Sequence, residues 1–187
     1  MIHIIYMAAG QSRRYGENKL LCPYNGQPLY RHGLSAIRAA IRGRADCTLT
    51  VVSCWTEITE AMQREKIACV DCAQSHLGVS YTVRAGIAAC GALREDDYLC
   101  FCVADQPGLT PATVMRLLDS TAEKPLTACL CADGVQGNPV LFHASLASEL
   151  VALQGDRGGK AVMRAHPERH VDVACSPVEL YDVDTPQ

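Results

Sequence analysis

The chain has 187 residues, 49% of them hydrophobic, and a formal net charge of −3 at neutral pH. This length predicts one domain, spanning residues 1–187, with a sizeable buried core. The slightly negative charge gives no support to a nucleic-acid or membrane surface, so we expect neither as a partner. The first residues lack a basic segment, and no run approaches the roughly 20 apolar residues of a membrane span. We therefore expect a cytoplasmic protein.

Eleven cysteines lie mostly inside apolar runs. Cys129 and Cys131, for example, are spaced by two and so share one face of a predicted strand. We expect such residues to pack as small hydrophobic groups, and a metal or redox role is the alternative. Cys69 and Cys72 form the sole Cys-x-x-Cys pair, and neither a second pair nor a nearby histidine completes a zinc site around it.

Taken in chain order, the apolar pattern predicts strands that alternate with helices. Strands are predicted at residues 2–6, 47–54, 67–70, 98–104 and 127–131, and helices at 28–42, at 57–65, after Gly78 and from Pro111. This order implies right-handed crossovers between parallel strands. The predicted fold is a three-layer α/β/α sandwich with a mostly parallel sheet.

The segment after the first strand, residues 7–21, combines small residues with basic ones. Gly10 and Gly16 permit close approach of the backbone, and Arg14 and Lys19 bring positive charge. Backbone N–H groups and cations in such a loop suit the oxygens of a phosphate. The glycine spacing fits neither the P-loop nor the dinucleotide-binding pattern. We interpret the segment as a phosphate-binding loop of another type; the alternative is a solvated basic loop.

The strand predicted at residues 98–104 ends in a carboxylate, Asp105, which Gln106 and Pro107 follow. In open α/β sheets, ligands bind beyond the carboxyl ends of the strands. A carboxylate in that position, opposite a phosphate-binding loop, is suited to hold Mg²⁺. The alternative is an aspartate that forms a turn before the proline.

The loop motif Ala-Ala-Gly-x-Ser-x-Arg-x-Gly-x-x-Lys-Leu-Leu resembles that of the molybdenum cofactor cytidylyltransferases, in the MobA-like NTP transferase superfamily. The double alanine resembles the cytidylyltransferase branch rather than the guanylyltransferase branch. Further segments resemble the family in the same order, at residues 77–87, 105–107, 137–142, 155–160 and 181–186. The resemblance implies a Rossmann-like nucleotidyltransferase fold with one antiparallel strand.

By the same resemblance, the reaction transfers CMP from CTP to the molybdopterin cofactor and releases pyrophosphate, with Mg²⁺ as the metal and Mn²⁺ as a substitute. The implied catalytic residues are Arg14, Lys19 and Asp105. The implied nucleotide-binding residues are Ala8, Ala9, Gly10, Ser12, Arg14, Gly16, Lys19, Gly78 and Ser80. The implied acceptor-binding residues are Gly137, Asn138, Pro139 and Asp156, and the implied metal ligands are Asp105 and Asp184.

Further residues also have a structural alternative, and the segment of Gly78 and Ser80 is alternatively an ordinary helix. Asp156 is also placed to cap the helix predicted after it, and Asp184 to be part of a solvated acidic tail. The product implied by the resemblance serves a molybdenum hydroxylase, so we expect transient contact with such an enzyme or its accessory proteins. Other hypotheses remain open: transfer of guanylate, transfer to a sugar or alditol phosphate, a noncatalytic carrier or chaperone of the cofactor, and a redox protein.

Overall fold

The computed structural model describes residues 1–11 and 18–183. Within them the strands are β1 (Ile2–Ala8), β2 (Pro23–Tyr24), β3 (Gln27–Pro28), β4 (Cys47–Ser53), β5 (Ala68–Asp71), β6 (Tyr98–Val103), β7 (Thr127–Ala132), β8 (Val135–His143) and β9 (His170–Ala174). The α-helices are α1 (Leu29–Ala40), α2 (Thr56–Arg64), α3 (Val79–Ala89), α4 (Pro111–Asp119), α5 (Ala147–Val151) and α6 (Lys160–Ala165).

Seven strands form one sheet in the order β5-β4-β1-β6-β8-β7-β9, and β2 pairs with β3 in a small hairpin. All neighbours in the large sheet are parallel except β8, which runs antiparallel to both β6 and β7. The predictions of a mostly parallel sheet and of one antiparallel strand are therefore confirmed.

The central strands are buried on both faces because helices cover each side of the sheet. Ile4 on β1 packs in a core with residues of α1, α2 and α4, whereas its neighbour Ile5 packs in a second core with residues of α3, α5 and α6. Successive side chains of a strand point to opposite faces, which explains this division. The predicted three-layer sandwich is confirmed.

The boundaries of α1 differ from the prediction at both ends. Pro28 pairs with Pro23 in the hairpin and precedes the first helical residue, Leu29. The helix ends at Ala40, two residues before the predicted end at Arg42. The fixed φ of proline suits both the first turn of a helix and a short edge strand. The sequence alone therefore does not distinguish these two positions for Pro28, and the pairing with Pro23 does.

The cysteines are all free thiols in this structure, and three of those in β6 and β7 are buried: Cys100, Cys102 and Cys129. Burial of Cys100 and Cys102 agrees with the expected packing role. No helix in residues 1–11 and 18–183 has the length and apolar character needed to cross a membrane.

Candidate functional site

The first group of predicted site residues meets where β1 and β6 end. These strands are parallel neighbours, so their carboxyl ends lie at the same edge of the sheet. Asp105 follows the end of β6, and Lys19 lies on the segment after β1. Lys19 Nζ donates a hydrogen bond to Asp105 Oδ2 at 2.7 Å. The two side chains are only 14% and 22% exposed. The fold thus brings together a cation and a carboxylate that lie 86 residues apart.

The C-terminal segment supplies a third polar group at this edge. Lys19 Nζ also donates to the carbonyl oxygen of Val183 at 2.8 Å, and the Val183 N–H donates to the carbonyl oxygen of Asp105 at 3.0 Å. The Lys19 ammonium therefore lies between a carboxylate oxygen and a carbonyl oxygen. Oxygen donors of these types are the ligands that Mg²⁺ and related hard cations take, so this donor set fits a divalent cation. The other predicted ligand, Asp184, lies outside the described residues.

The start of the predicted phosphate-binding loop continues directly from β1. Ala8 and Ala9 are buried, so their side chains belong to the core, whereas Gly10 is exposed. Ser53 Oγ donates to the Ala8 carbonyl oxygen at 2.9 Å, and the Trp55 indole N–H donates to the Gly10 carbonyl oxygen at 3.3 Å. These bonds attach the start of the loop to the end of β4. Ser12, Arg14 and Gly16 lie outside the residues that the structure describes.

The N-terminus of α3 approaches a second loop very closely. The helix predicted after Gly78 begins at Val79, as expected. Gly78 has φ +129°, and a Cβ at this position would lie 2.3 Å from the carbonyl carbon of Gly155. The Ser80 N–H donates to the Gly155 carbonyl oxygen at 3.1 Å. Ser80 Oγ is buried without a hydrogen-bond partner among the described residues. Backbone packing therefore requires glycine at position 78, whether or not it also binds a nucleotide.

We expect Gly78→Ala to lower stability by roughly 2–4 kcal/mol, because alanine combines an unfavourable positive φ with a backbone clash. This corresponds to a fall in Tm of about 5–15 °C, measured by thermal denaturation. Gly91→Ala is the matched control, since Gly91 has φ +70° but open space around its Cβ position. Equal losses of Tm in the two variants would contradict the argument from the contact with Gly155.

A pocket of about 170 Å³ opens beside the carboxyl ends of β1 and β6. Its lining includes Val103 from β6, Val79 from α3, and Gly137 and Asn138 from β8. Residues 158–160 complete one wall. Two of the predicted acceptor-binding residues therefore line a cavity that Val103, two residues before Asp105, also lines. Pro139 is not part of the lining.

Asp156 does not cap a helix, so this structural expectation is wrong. Helix α6 begins at Lys160, and the residue in the capping position is Gly159. Glycine has no side chain that could cap the helix. A capping residue lies directly before the first helical residue, and Asp156 is three residues too early. The Asp156 side chain is exposed. It follows Gly155, whose carbonyl oxygen accepts a hydrogen bond from the Ser80 N–H of α3.

Arg84, another residue of the matched segments, serves the packing of α3. Its guanidinium donates to the carbonyl oxygen of Leu153 at 2.6 Å and lies 4.3 Å from the centre of the Tyr81 ring. The hydrogen bond to Leu153 fastens α3 to the segment that leads to Gly155, and the Tyr81 ring lies on α3 itself.

Glu179 holds the segment that carries Val183 and is absent from the sequence prediction. Its carboxylate accepts hydrogen bonds from the Thr110 hydroxyl at 2.7 Å, the Thr110 N–H at 3.1 Å and the Ser176 N–H at 3.0 Å. Burial by itself would raise the pKa of Glu179, but hydrogen bonds from Ser176, Thr110 and Thr113 outweigh it, and the pKa lies below its usual range. The carboxylate thus fixes the C-terminal segment against the start of α4.

We expect Glu179→Gln to lower stability at pH 7 by about 1.5–3 kcal/mol, because it weakens hydrogen bonds to a charged group. A lowered folded-state pKa stabilises the fold above the unfolded-state pKa of about 4.3, and this contribution is lost as the pH falls through the folded-state value. The difference in Tm between wild type and variant should therefore shrink as the pH falls below the unfolded-state pKa of about 4.3 and through the lower folded-state pKa. Glu60→Gln, at an exposed glutamate, is the control. A gap in Tm that does not change with pH would contradict this role.

Comparison with known proteins gives the family. Residues 4–171 match the MobA-like NTP transferase domain. The chain is similar to the purine catabolism protein PucB of Bacillus subtilis, with 25% identity over 98% of this chain and 91% of that protein. The structure of Rv0371c from Mycobacterium tuberculosis superimposes with a TM-score of 0.77 at 23% identity, covering 98% of this chain and 93% of that one.

Two further solved structures share the fold. A manganese complex of Rv0371c gives a TM-score of 0.73 at 22% identity, with 98% of this chain and 94% of that one covered. A nucleotidyl transferase from Methanothermobacter gives 0.77 at 23% identity, with 99% and 92% covered. The family match includes the carboxyl end of β1, Lys19 and Asp105, whereas Val183 lies beyond it. The chain therefore belongs to the MobA-like NTP transferase family.

Proposed function

We propose that this protein transfers CMP from CTP to the molybdopterin cofactor, giving the cytosine dinucleotide form of the cofactor and pyrophosphate. The observation that carries this proposal is the contact between Lys19 and Asp105 at the end of β1 and β6, beside a pocket lined by Gly137 and Asn138. A cation, a carboxylate and a cavity at this edge suit the binding of a triphosphate, a metal and an acceptor. Membership of the NTP transferase family supports the reaction class.

In the proposed reaction, an oxygen of the acceptor's terminal phosphate forms a bond to the α-phosphorus of CTP. The bond from that phosphorus to the bridging oxygen breaks, and its electron pair leaves with pyrophosphate. The reaction requires no protein nucleophile, so the protein contributes positioning and charge neutralisation. Lys19 and Arg14 hold the triphosphate, and the backbone around Gly10, Ser12 and Gly16 approaches its oxygens. Gly78 and Ser80 belong to the same nucleotide site, at the start of α3.

Asp105 holds the divalent cation in this proposal, with Asp184 as a second ligand. When bound, Mg²⁺ or Mn²⁺ neutralises phosphate charge that otherwise opposes the approach of two anionic substrates. The manganese complex of the mycobacterial relative supports the use of a divalent metal in this fold. The acceptor binds against Gly137, Asn138 and Pro139 and reaches the loop of Asp156. We propose that the enzyme acts in the cytoplasm and passes its product to a molybdenum hydroxylase or its accessory proteins.

A nucleotide panel tests this proposal. Purified protein is incubated with the molybdopterin cofactor, Mg²⁺ and each of CTP, GTP, ATP and UTP, and released pyrophosphate is measured. We expect release with CTP that depends on the cofactor. Preference for GTP would favour the guanylyltransferase alternative. Release that requires a sugar or alditol phosphate instead of the cofactor would change the acceptor. Binding of the cofactor without any release would favour the carrier alternative.

A further inference from the structure

A second group of candidate metal ligands lies where β9 pairs with β7, at the edge of the sheet. Cys129 Sγ is 3.6 Å from His170 Nε2 and 3.7 Å from Asp172 Oδ1, and the last two atoms are 3.0 Å apart. In the part of the chain that the structure describes, these three residues form the cluster of cysteine, histidine and carboxylate atoms compact enough to hold one metal ion.

The spacing of the three atoms fits a zinc ion. Zinc binds sulfur at about 2.3 Å, and nitrogen and oxygen at about 2.0–2.2 Å, in tetrahedral geometry. Those bond lengths place sulfur roughly 3.6 Å from the nitrogen or oxygen ligand, and nitrogen roughly 3.4 Å from oxygen. The two distances from Cys129 Sγ agree with these values. The third is about 0.4 Å shorter, so a small rotation of the exposed Asp172 side chain suffices to admit the ion.

The strand register produces this arrangement and fixes its orientation. Thr127 pairs with His170, and Cys129 pairs with Asp172, across the parallel β7–β9 ladder. Residues spaced by two on a strand share one face, so all four side chains meet on one side of the sheet. Thr127 Oγ1 lies 2.8 Å from His170 Nδ1, which leaves Nε2 directed to the cluster. A hydrogen bond to the second ring nitrogen is the usual way in which a histidine ligand is oriented.

Gln136 occupies a fourth position around the cluster. Its Nε2 lies 2.9 Å from Asp172 Oδ1 and 3.0 Å from His170 Nε2. Rotating the amide by 180° directs its oxygen to the same point, where an ion requires an oxygen donor. The site also has an entry path, because the Asp172 side chain is 49% exposed while Cys129 is fully buried.

We propose that Cys129, His170 and Asp172 bind a zinc-type divalent cation that fastens the edge strand β9 to β7, with Gln136 or a water molecule as the fourth ligand. Thiolate and imidazole ligands favour zinc over the hard cations that carboxylates and phosphates prefer. This site is therefore separate in chemistry from the one proposed at Asp105. It does not depend on the proposed transferase reaction.

Metal titration of the full-length protein tests this site. The protein is treated with a chelator, dialysed and titrated with Zn²⁺, and then with Co²⁺ as a spectroscopic probe. We expect one zinc per chain, a thiolate-to-cobalt absorption band with tetrahedral d–d bands, and a rise in Tm of roughly 5–10 °C at a hundredfold excess over Kd. Absence of the thiolate band, or of saturable zinc binding, would overturn the proposal.

Two variants and a control test the assigned ligands. Cys129→Ser should abolish the thiolate band, and Asp172→Asn, at an exposed position, should weaken zinc binding at least tenfold while the fold is kept. Cys69→Ser is the matched control, since it removes a cysteine from the Cys-x-x-Cys pair instead. It should leave both zinc binding and the band unchanged. Loss of zinc in Cys69→Ser, with full retention in Asp172→Asn, would place the metal elsewhere and refute the assignment.

Discussion

Asp105→Asn is expected to reduce pyrophosphate release by roughly 10³-fold or more and to leave Tm nearly unchanged. The asparagine retains the shape of the side chain and still accepts a hydrogen bond from Lys19. It lacks the negative charge with which a carboxylate attracts a hard cation. Without that cation, the phosphates of CTP and of the acceptor repel each other, and the attacking oxygen does not reach the α-phosphorus.

The control for this variant is Asp71→Asn. Asp71 also lies at the carboxyl end of a parallel strand. That strand, β5, is at the edge of the sheet, and Asp71 is exposed. We expect Asp71→Asn to retain activity close to wild type. Wild-type activity should vanish with EDTA and return with Mg²⁺ or Mn²⁺. Substantial activity in Asp105→Asn, or in wild type with EDTA, would show that the metal assignment is wrong.

Lys19→Ala is expected to lower turnover by roughly 10²-fold and to raise the KM for CTP. Lys19 is the described cation that reaches the end of β6, where its ammonium contacts Asp105 and the Val183 carbonyl. Its removal takes away positive charge that the triphosphate requires. The two side chains are only 14% and 22% exposed, so we also expect a fall in Tm, because the substitution leaves the Asp105 carboxylate without its cation.

Arg42→Ala serves as the control for Lys19→Ala. Arg42 is exposed and lies between α1 and β4. It precedes the amino end of β4, whereas the candidate site lies at the carboxyl ends of the parallel strands. Steady-state kinetics of both variants with CTP and the cofactor separate a local effect from a change in overall charge. If Lys19→Ala keeps wild-type turnover in a folded protein, Lys19 has no part in the mechanism.

The regular elements were predictable where the sequence pattern is strong. The unbroken apolar runs that begin at Ile2 and Cys47 form the central strands, and the helix predicted from Pro111 begins at that residue. Strand β9 was not predicted, because it has only five residues and two of them, His170 and Asp172, are polar, so its pattern is too short to stand out. Parallel pairing with β7 stabilises it, and that pairing is a tertiary contact with no local signal.

The candidate site shows the same division between local and tertiary information. The placement of Asp105 followed from its position at the end of an apolar strand. Val183 contributes its main-chain carbonyl oxygen to the same site, and a sequence pattern of side chains cannot predict a main-chain contact. The cluster at Cys129 combines ligands 41 and 43 residues apart, so spacing rules for zinc motifs do not detect it. The roles of Ser12, Arg14, Gly16 and Asp184 remain predictions.

Transfer of a radioactive label tests the central claim most directly. The protein is incubated with Mg²⁺, the molybdopterin cofactor and CTP labelled at either the α- or the γ-phosphate, and the products are separated. We predict that the α-label appears in the cofactor and the γ-label in pyrophosphate, both at one per turnover. Appearance of the γ-label in the cofactor, or of neither label in a new product, would contradict nucleotidyl transfer to this acceptor.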